Sequence, residues 1–351
     1  MIRSTSWHLP RAAAALDPGR SACLDVDGRE VINLCTEGYL ALDAPGGDAE
    51  EQRVATVLDA ARAVAALKRV DRVSLHASAA EAFGAALGAL AAGATPAIVA
   101  DSGLRPELGE LCRTAAGRLE HYPHLDADGA RRALAEAGEG QAAPVVLVTE
   151  GVFGADGTVA PLAELSAAAG ECDARILLED SFAFGLLGPH GSGSARHFGT
   201  EQAIAIHAEV ADLGGALGLD RAALAACPGA GGADSIDAAA AARLAAAVAR
   251  LQRDVGPQER IWALTRYLRE GLNAFNLDTG DTHSPITPVL CGSAADTDRA
   301  ADRLFEAGVL VHVVPEPIFA GGQAGLRATL STAHTEDELE RAIEVFAKVL
   351  A

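Results

Sequence analysis

The chain has 351 residues, 28 basic against 48 acidic side chains and a formal net charge of −20, so a default role on nucleic acid or an anionic membrane surface is excluded. Half of the chain is apolar but only 4% is aromatic, and alanine carries much of that apolar content. The length suits about two domains. Among the basic residues only Lys68 and Lys348 are lysines.

Two short apolar runs, CLDVDG and EVINLC, open the chain, and Asp27-Gly28 between them predicts a hairpin turn. Residues 50–70 read as a helix, acidic early and ending in Lys68-Arg69, as the helix dipole favours. Strand and helix then alternate. RVSLHA, TPAIVA, RLEHYPH, APVVLVTEG and ARILLED are strands, and helices cover 79–92, 105–117, 126–138 and 161–170. Such alternation predicts an α/β fold with a mostly parallel sheet and helices on both faces. Uninterrupted runs such as VVLV suit strands buried on both sides. A glycine-rich loop, GLLGPHGSGSARHFG, leads to a further strand, AIAIHA, and to helices over 236–253 and 257–274. The remainder reads as a small α+β domain. It has strands ITPVLC, VLVHVV and LRATLS and helices over 296–307 and 335–350. The expected division is an N-terminal segment 1–45, a large α/β domain 46–275 and a small C-terminal domain 276–351.

No CxxC pair occurs among the six cysteines, and His121 and His124 lack a third ligand for zinc. Asp281, His283 and Ser284 lack the GxSxG elbow of a hydrolase. The opening MIRSTSWHLPRAAAALDPGR has no apolar core of secretory length, so a cytoplasmic protein is expected. The uncharged run 82–100 is broken by glycines and Pro96 and reads as a buried helix and strand rather than a membrane span. Two strands end in acids, Thr149-Glu150-Gly151 and Leu178-Glu179-Asp180, where a doubly wound sheet places functional groups. Four glycines at 185, 188, 191 and 193 mark the loop that follows, which meets neither nucleotide-binding fingerprint.

RILLEDSFAFGLLGPHGSGSARHFG resembles the signature of the α-oxoamine synthases, pyridoxal-phosphate enzymes of the type I aminotransferase fold. INLCTEGYLAL, VVLVTEGVFGADGTVAPLAEL, SPITPVL and LRATLSTAHTEDELERAIEVF extend the resemblance over most of the chain. It implies decarboxylative condensation of an amino acid with an acyl-CoA. It also implies a cofactor lysine just before a Gly-Gly stretch. With Gly214-Gly215 as that pair, His207 and Ala208 fall on the serine and lysine positions, and no lysine lies between Lys68 and Lys348. A Schiff base needs a primary amine, which arginine and histidine do not supply. By the same resemblance Glu179 replaces the aspartate on the pyridine nitrogen, and Phe182 replaces a histidine three residues on. Arg105 replaces the histidine that stacks on the ring, and Ser78-Ala79 replace the pair that meets the phosphate. Arg327 matches an arginine that holds the amino-acid carboxylate.

The Glu179-Asp180-Ser181-Phe182-Ala183-Phe184-Gly185 stretch is similar to the non-catalytic long-chain-base branch of serine palmitoyltransferase. That similarity implies a pseudoenzyme subunit for sphingoid-base synthesis, paired with a lysine-bearing catalytic homologue. It implies no covalently bound cofactor in this chain, with pyridoxal phosphate in the partner subunit, and an endoplasmic-reticulum association only through that partner. The alternatives are an active enzyme of the family that uses the site without a Schiff base, and a homodimeric metabolite-binding protein.

Overall fold

The computed structural model describes residues 7–36, 38–42, 56–140, 143–197, 206–217, 219, 222–227, 234–315 and 323–350. Strands β1 (Cys23–Val26) and β2 (Arg29–Asn33) are followed by α1 (Val57–Lys68), β3 (Ser74–His76), α2 (Ala79–Ala91), β4 (Ala97–Asp101) and α3 (Pro106–Ala115). Next come β5 (Arg118–Tyr122), α4 (Ala127–Gly138), β6 (Val145–Glu150), α5 (Leu162–Glu171), β7 (Arg175–Glu179), α6 (Ser194–His197) and β8 (Ala208–Asp212). The order continues with α7 (Gly214–Leu217), β9 (Ala223–Ala226), α8 (Ala238–Arg253), α9 (Gly256–Ala274), β10 (Ile286–Gly292) and α10 (Ala294–Glu306). It ends with β11 (Val309–Leu310), β12 (His312–Val314), β13 (Ala324–Thr329) and α11 (Glu336–Leu350).

The larger of two units comprises Leu42–Phe153 and Val159–Val255. Its seven-stranded sheet has the order β3-β9-β8-β7-β6-β4-β5. Strands β5, β4, β6, β7 and β8 are parallel, and β9 runs antiparallel between β8 and β3. Strand alternation divides the core in two. Ile98, Val146, Val148, Leu177 and Val210 pack with α2 and α3 on one face. Val99, Leu147, Ile176 and Leu178 pack with α4 and α5 on the other. Local signals start the helices where side chains satisfy the first amides. Thr56 and Asp59 form a reciprocal capping box on α1, and Asp126 and Asp237 cap α4 and α8. The start expected for the first helix at residue 50 lies outside the described residues, which enter it at Thr56.

The smaller unit comprises Met1–Ala41, Gly154–Thr158 and Gly256–Ala351. It holds two three-stranded sheets, β1-β2-β11 and β10-β13-β12, with α9, α10 and α11. The expected hairpin is present: Val26 pairs with Arg29, and Asp27 and Gly28 take positive φ of 54° and 78°. The division differs from a cut at 275. Helix α9 packs on α11 and joins the smaller unit, as does the N-terminal segment, because β2 pairs with β11. Among the described residues no helix is long and apolar enough to cross a membrane.

One strand differs from its expected place. AIAIHA is the expected strand; its first three residues lie outside the described residues, and β8 begins at Ala208 and carries Glu209 and Asp212. An acid inside a core strand reads as a strand end in one dimension. Here it is accommodated because Lys68, the last residue of α1, ion-pairs with Glu209. Lys68 is 4% exposed. Its Nζ donates to Ser192 O at 2.9 Å, lies 3.7 Å from Asp180 Oδ2 and sits 4.8 Å from the centre of the Phe184 ring. Asp180 also accepts from Ser194 N at 3.2 Å and from the Ser194 hydroxyl. Gly193, at φ +108°, leaves room for these groups, since a Cβ there would collide with Asp180 Oδ2. The cluster pins the end of α1 to the loop after β7.

Removing one partner of a buried ionic cluster leaves charge uncompensated. Lys68→Met is therefore expected to cost about 3–5 kcal/mol, read as a lower urea midpoint. Burial, then Glu209, pushes the Asp180 carboxyl well above its ordinary value, against the pull of Lys68. A proton held more tightly in the folded state stabilises it at acid pH, and this contribution is lost as pH rises from the ordinary carboxylate value of about 4 through the raised folded value. Asp180→Asn is expected to flatten that part of the stability–pH profile, measured by urea unfolding across a pH series.

Candidate functional site

The parallel strands of the larger unit end together, and the register shows which residues share that end. Glu150 on β6 pairs with Glu179 on β7, Glu179 pairs with Val210 on β8, and Asp212 is two residues further on. Glu150, Glu179 and Asp212 follow the alternation of Val148, Leu177 and Val210, which places all three on the α2/α3 face. Asp180 follows the alternation of Leu178, which places it on the opposite face with Lys68. Two buried charge clusters thus flank the same strands.

Arg105 organises the first. It is the N-cap of α3, where Pro106 follows at the first helical position and the chain turns in from β4. Its backbone N–H donates to Glu150 Oε1 at 2.8 Å. Its Nη2 is 2.8 Å from Glu179 Oε1, and its Nη1 is 3.7 Å from Glu150 Oε2. The guanidinium lies 5.2 Å from the centre of the Phe182 ring. Burial works against its charge, but Glu179 and Glu150 outweigh that effect and hold its pKa above the ordinary value. Ser181 donates its hydroxyl to Glu179 Oε1 and accepts from Asp212 N at 2.7 Å, so it bridges the ends of β7 and β8. One atom is left over. Glu179 Oε2 is buried and receives no hydrogen bond, although the residue is only 2% exposed. A buried carboxylate oxygen without a donor is costly, and such an atom marks a place for a ligand donor.

Ser78 and Ala79 stand at the same end of the sheet. His76 on β3 is level with Ala223 on β9, and Ala223 is level with Asp212. Ser78 caps the thirteen-residue α2 and accepts from Glu81 N. The Glu81 carboxylate accepts from Ser235 Oγ at 2.6 Å. Helix N-termini of this kind suit phosphate.

The structure thus brings Arg105, Glu179 and Phe182 together and sets Ser78-Ala79 along the same edge. It does not bring His207 and Ala208 there. Ala208 pairs with Leu177 at the N-terminal end of β8, and His207 Nδ1 accepts from Ile176 N at 3.1 Å. The opposite, functional end of β8 is Asp212, Leu213 and Gly214, none of which carries an amine. Glu150, Ser181 and Asp212 belong to the cluster but did not emerge from sequence as site residues. Glu150 had a signal, its strand-end position; Asp212 had none, because its strand was expected to begin five residues earlier. Arg327 lies in the smaller unit and is 2% exposed. Its Nε donates to Gly154 O at 2.5 Å, its Nη2 to Tyr39 Oη at 3.2 Å, and it sits 4.1 Å from the centre of the Trp7 ring. Beside it, burial and the Arg327 charge push His312 well below its ordinary pKa.

Comparison with known proteins follows this geometry. The family model for class I and II aminotransferases matches residues 34–210 and 216–346. The 8-amino-7-oxononanoate synthase of Geobacter metallireducens is 33% identical, over 99% of this chain and 96% of its own. A solved structure of serine palmitoyltransferase with pyridoxal phosphate, an asparagine-to-tyrosine variant, superposes with a TM-score of 0.80 at 19% identity, covering 95% of this chain and 93% of that one. Another is a lysine-to-alanine variant of serine palmitoyltransferase from S. paucimobilis with a bound pyridoxal phosphate–myriocin aldimine. It has a TM-score of 0.79 at 18% identity and covers 95% of this chain and 90% of that one. These likenesses overturn the expectation that pyridoxal phosphate lies only in a partner subunit, since the solved structures of similar proteins contain it. The donor-less Glu179 Oε2 fits that correction, since a buried carboxylate oxygen without a partner can accept a donor from a ligand. The type I aminotransferase fold is present, and the chain belongs to the class I and II aminotransferase family and, within it, to the α-oxoamine synthases.

Proposed function

We propose that this chain holds pyridoxal phosphate in its own fold without a lysine link. On this reading it acts on the amino-acid and acyl-thioester substrates of its family, in the manner of the 8-amino-7-oxononanoate synthases it resembles by sequence. One observation carries the reading: Glu179 Oε2 is buried, lacks a donor and stands at the functional end of β7. Glu179 would take the ring N–H, while Arg105 and Ser181 hold its other oxygen in place. The first turn of α2, capped by Ser78, would take the phosphate. The cofactor supplies an electron sink for a carbanion next to the substrate nitrogen. The chain's contribution is to bind, orient and exclude water. The lysine-to-alanine serine palmitoyltransferase structure supports holding the cofactor in a chain altered at a lysine.

A second reading is a non-catalytic subunit that pairs with a lysine-bearing homologue. It is favoured by the lack of an amine at the functional end of β8 and by Lys68 lying on the opposite face, committed to Asp180 and Glu209.

Titration of the purified chain with pyridoxal phosphate, followed in the visible spectrum and by equilibrium dialysis, decides between them. Saturable binding is expected, with no borohydride-reduced adduct on Lys68 or Lys348. Failure to bind overturns the first reading and leaves the second; an adduct on either lysine overturns the non-covalent mode. Glu179→Ala is expected to weaken binding about tenfold or more, the value of a charge-assisted hydrogen bond. Arg105→Ala leaves Glu150 and Glu179 as adjacent buried carboxylates and is expected to destabilise the fold by about 3–5 kcal/mol in urea unfolding.

A further inference from the structure

A buried base stands beside the α2 N-terminus. His76 ends β3, level with Ala223 of β9. Ala223 belongs to the core on the α2/α3 face, so the imidazole lies on the same face as α2. His76 is 5% exposed. Its Nε2 is 2.9 Å from Ser74 Oγ, and that hydroxyl donates to Ala225 O at 3.3 Å. A serine hydroxyl has a single proton. With that proton on the Ala225 carbonyl, Ser74 Oγ accepts from Nε2–H, and Nδ1 is left as the acceptor of the ring. Nδ1 has no hydrogen-bond partner among the described residues.

Two carboxylates act on this ring. Glu81, in the first turn of α2, accepts from Ser235 Oγ at 2.6 Å, and Asp234 Oδ1 accepts from Leu75 N at 2.8 Å. Burial is the largest effect on the imidazole and holds its pKa below the ordinary value, against the pull of Glu81 and Asp234. The free chain therefore keeps His76 neutral near pH 7. A phosphate at the α2 N-terminus meets opposing terms. The helix end favours an anion, whereas Glu81 and Asp234 disfavour a second negative charge beside them. A phosphate monoester in water is mostly a dianion above its second pKa of about 6. The lower-energy complex therefore carries one proton more than the separated partners.

We propose that His76 is the proton-sharing partner of a phosphate at the α2 N-terminus, so that a phosphate monoester binds as its monoanion with the P–O–H hydrogen-bonded to Nδ1. The inference rests on the phosphate placement proposed above, and adds to it a residue and a proton. No bond to phosphorus forms or breaks; one proton from solvent enters the complex.

Isothermal titration of the full chain with pyridoxine 5′-phosphate tests it, since that probe carries the ring nitrogen and the phosphate but no aldehyde to react with amines. The titration is run at pH 8 in two phosphate-free buffers of different ionisation enthalpy. Uptake of about one proton per ligand is expected, with affinity falling about tenfold per pH unit above pH 7. His76→Gln offers an amide N–H in place of the shared proton. It is expected to bind with little uptake and a flatter pH profile. A check that needs no variant is the nitrogen resonance of the histidines in the ¹⁵N-labelled parent. On binding, one Nδ1 is expected to leave the position of an unpartnered acceptor. Saturable binding without proton uptake, or with no histidine nitrogen moving, overturns this inference alone. So does uptake that persists in His76→Gln, since another group then takes the proton. No binding of the probe overturns the phosphate placement, and this inference with it.

Discussion

The pairing of Arg105 with Glu150 and Glu179 is the interaction on which the candidate site depends. Parallel strands that end side by side bring their last side chains together, and here two of them are carboxylates in register. Two adjacent buried acids repel unless a cation is placed between them. The guanidinium does this with a planar fork, which an ammonium could not match. One oxygen of Glu179 is consumed by that arrangement and the other is left facing without a donor. The proposed cofactor site uses that asymmetry.

The same strands carry a second ionic cluster on their other face. Lys68, Asp180 and Glu209 are as deeply buried as the first group, and they use the only lysine in the larger unit. This placement bears on chemistry. A lysine was available to the sheet, but alternation along β7 and β8 directs it to the face opposite Glu179, where it serves as a structural counter-charge. The absence of an amine beside Glu179 and the pairing of Lys68 with Glu209 are therefore two sides of one sheet.

Much of this was legible in the sequence. The α/β alternation, the acidic ends of β6 and β7 and the resemblance carried by RILLEDSFAFGLLGPHGSGSARHFG all led to the observed fold and to Glu179, Arg105 and Phe182. The position of β8 was not legible. Glu209 broke the apolar run that marks a strand, and only a lysine 141 positions away makes an acid tolerable there. That shift hid Asp212. The grouping of α9 with the C-terminal elements was equally hidden, since it rests on packing against α11 rather than on any local signal.

The sequence by itself determined the element order, the helix caps, the hairpin at Asp27-Gly28 and the scarcity of lysine, because each is a property of neighbouring residues or of composition. Only the tertiary structure decided which charges meet. Arg105 reaches two strand ends 45 and 74 positions further along the chain, and Lys68 turns to the opposite face. Long-range electrostatic pairing leaves no periodic trace in a sequence, since it is set by which strands lie side by side and by which face each side chain takes.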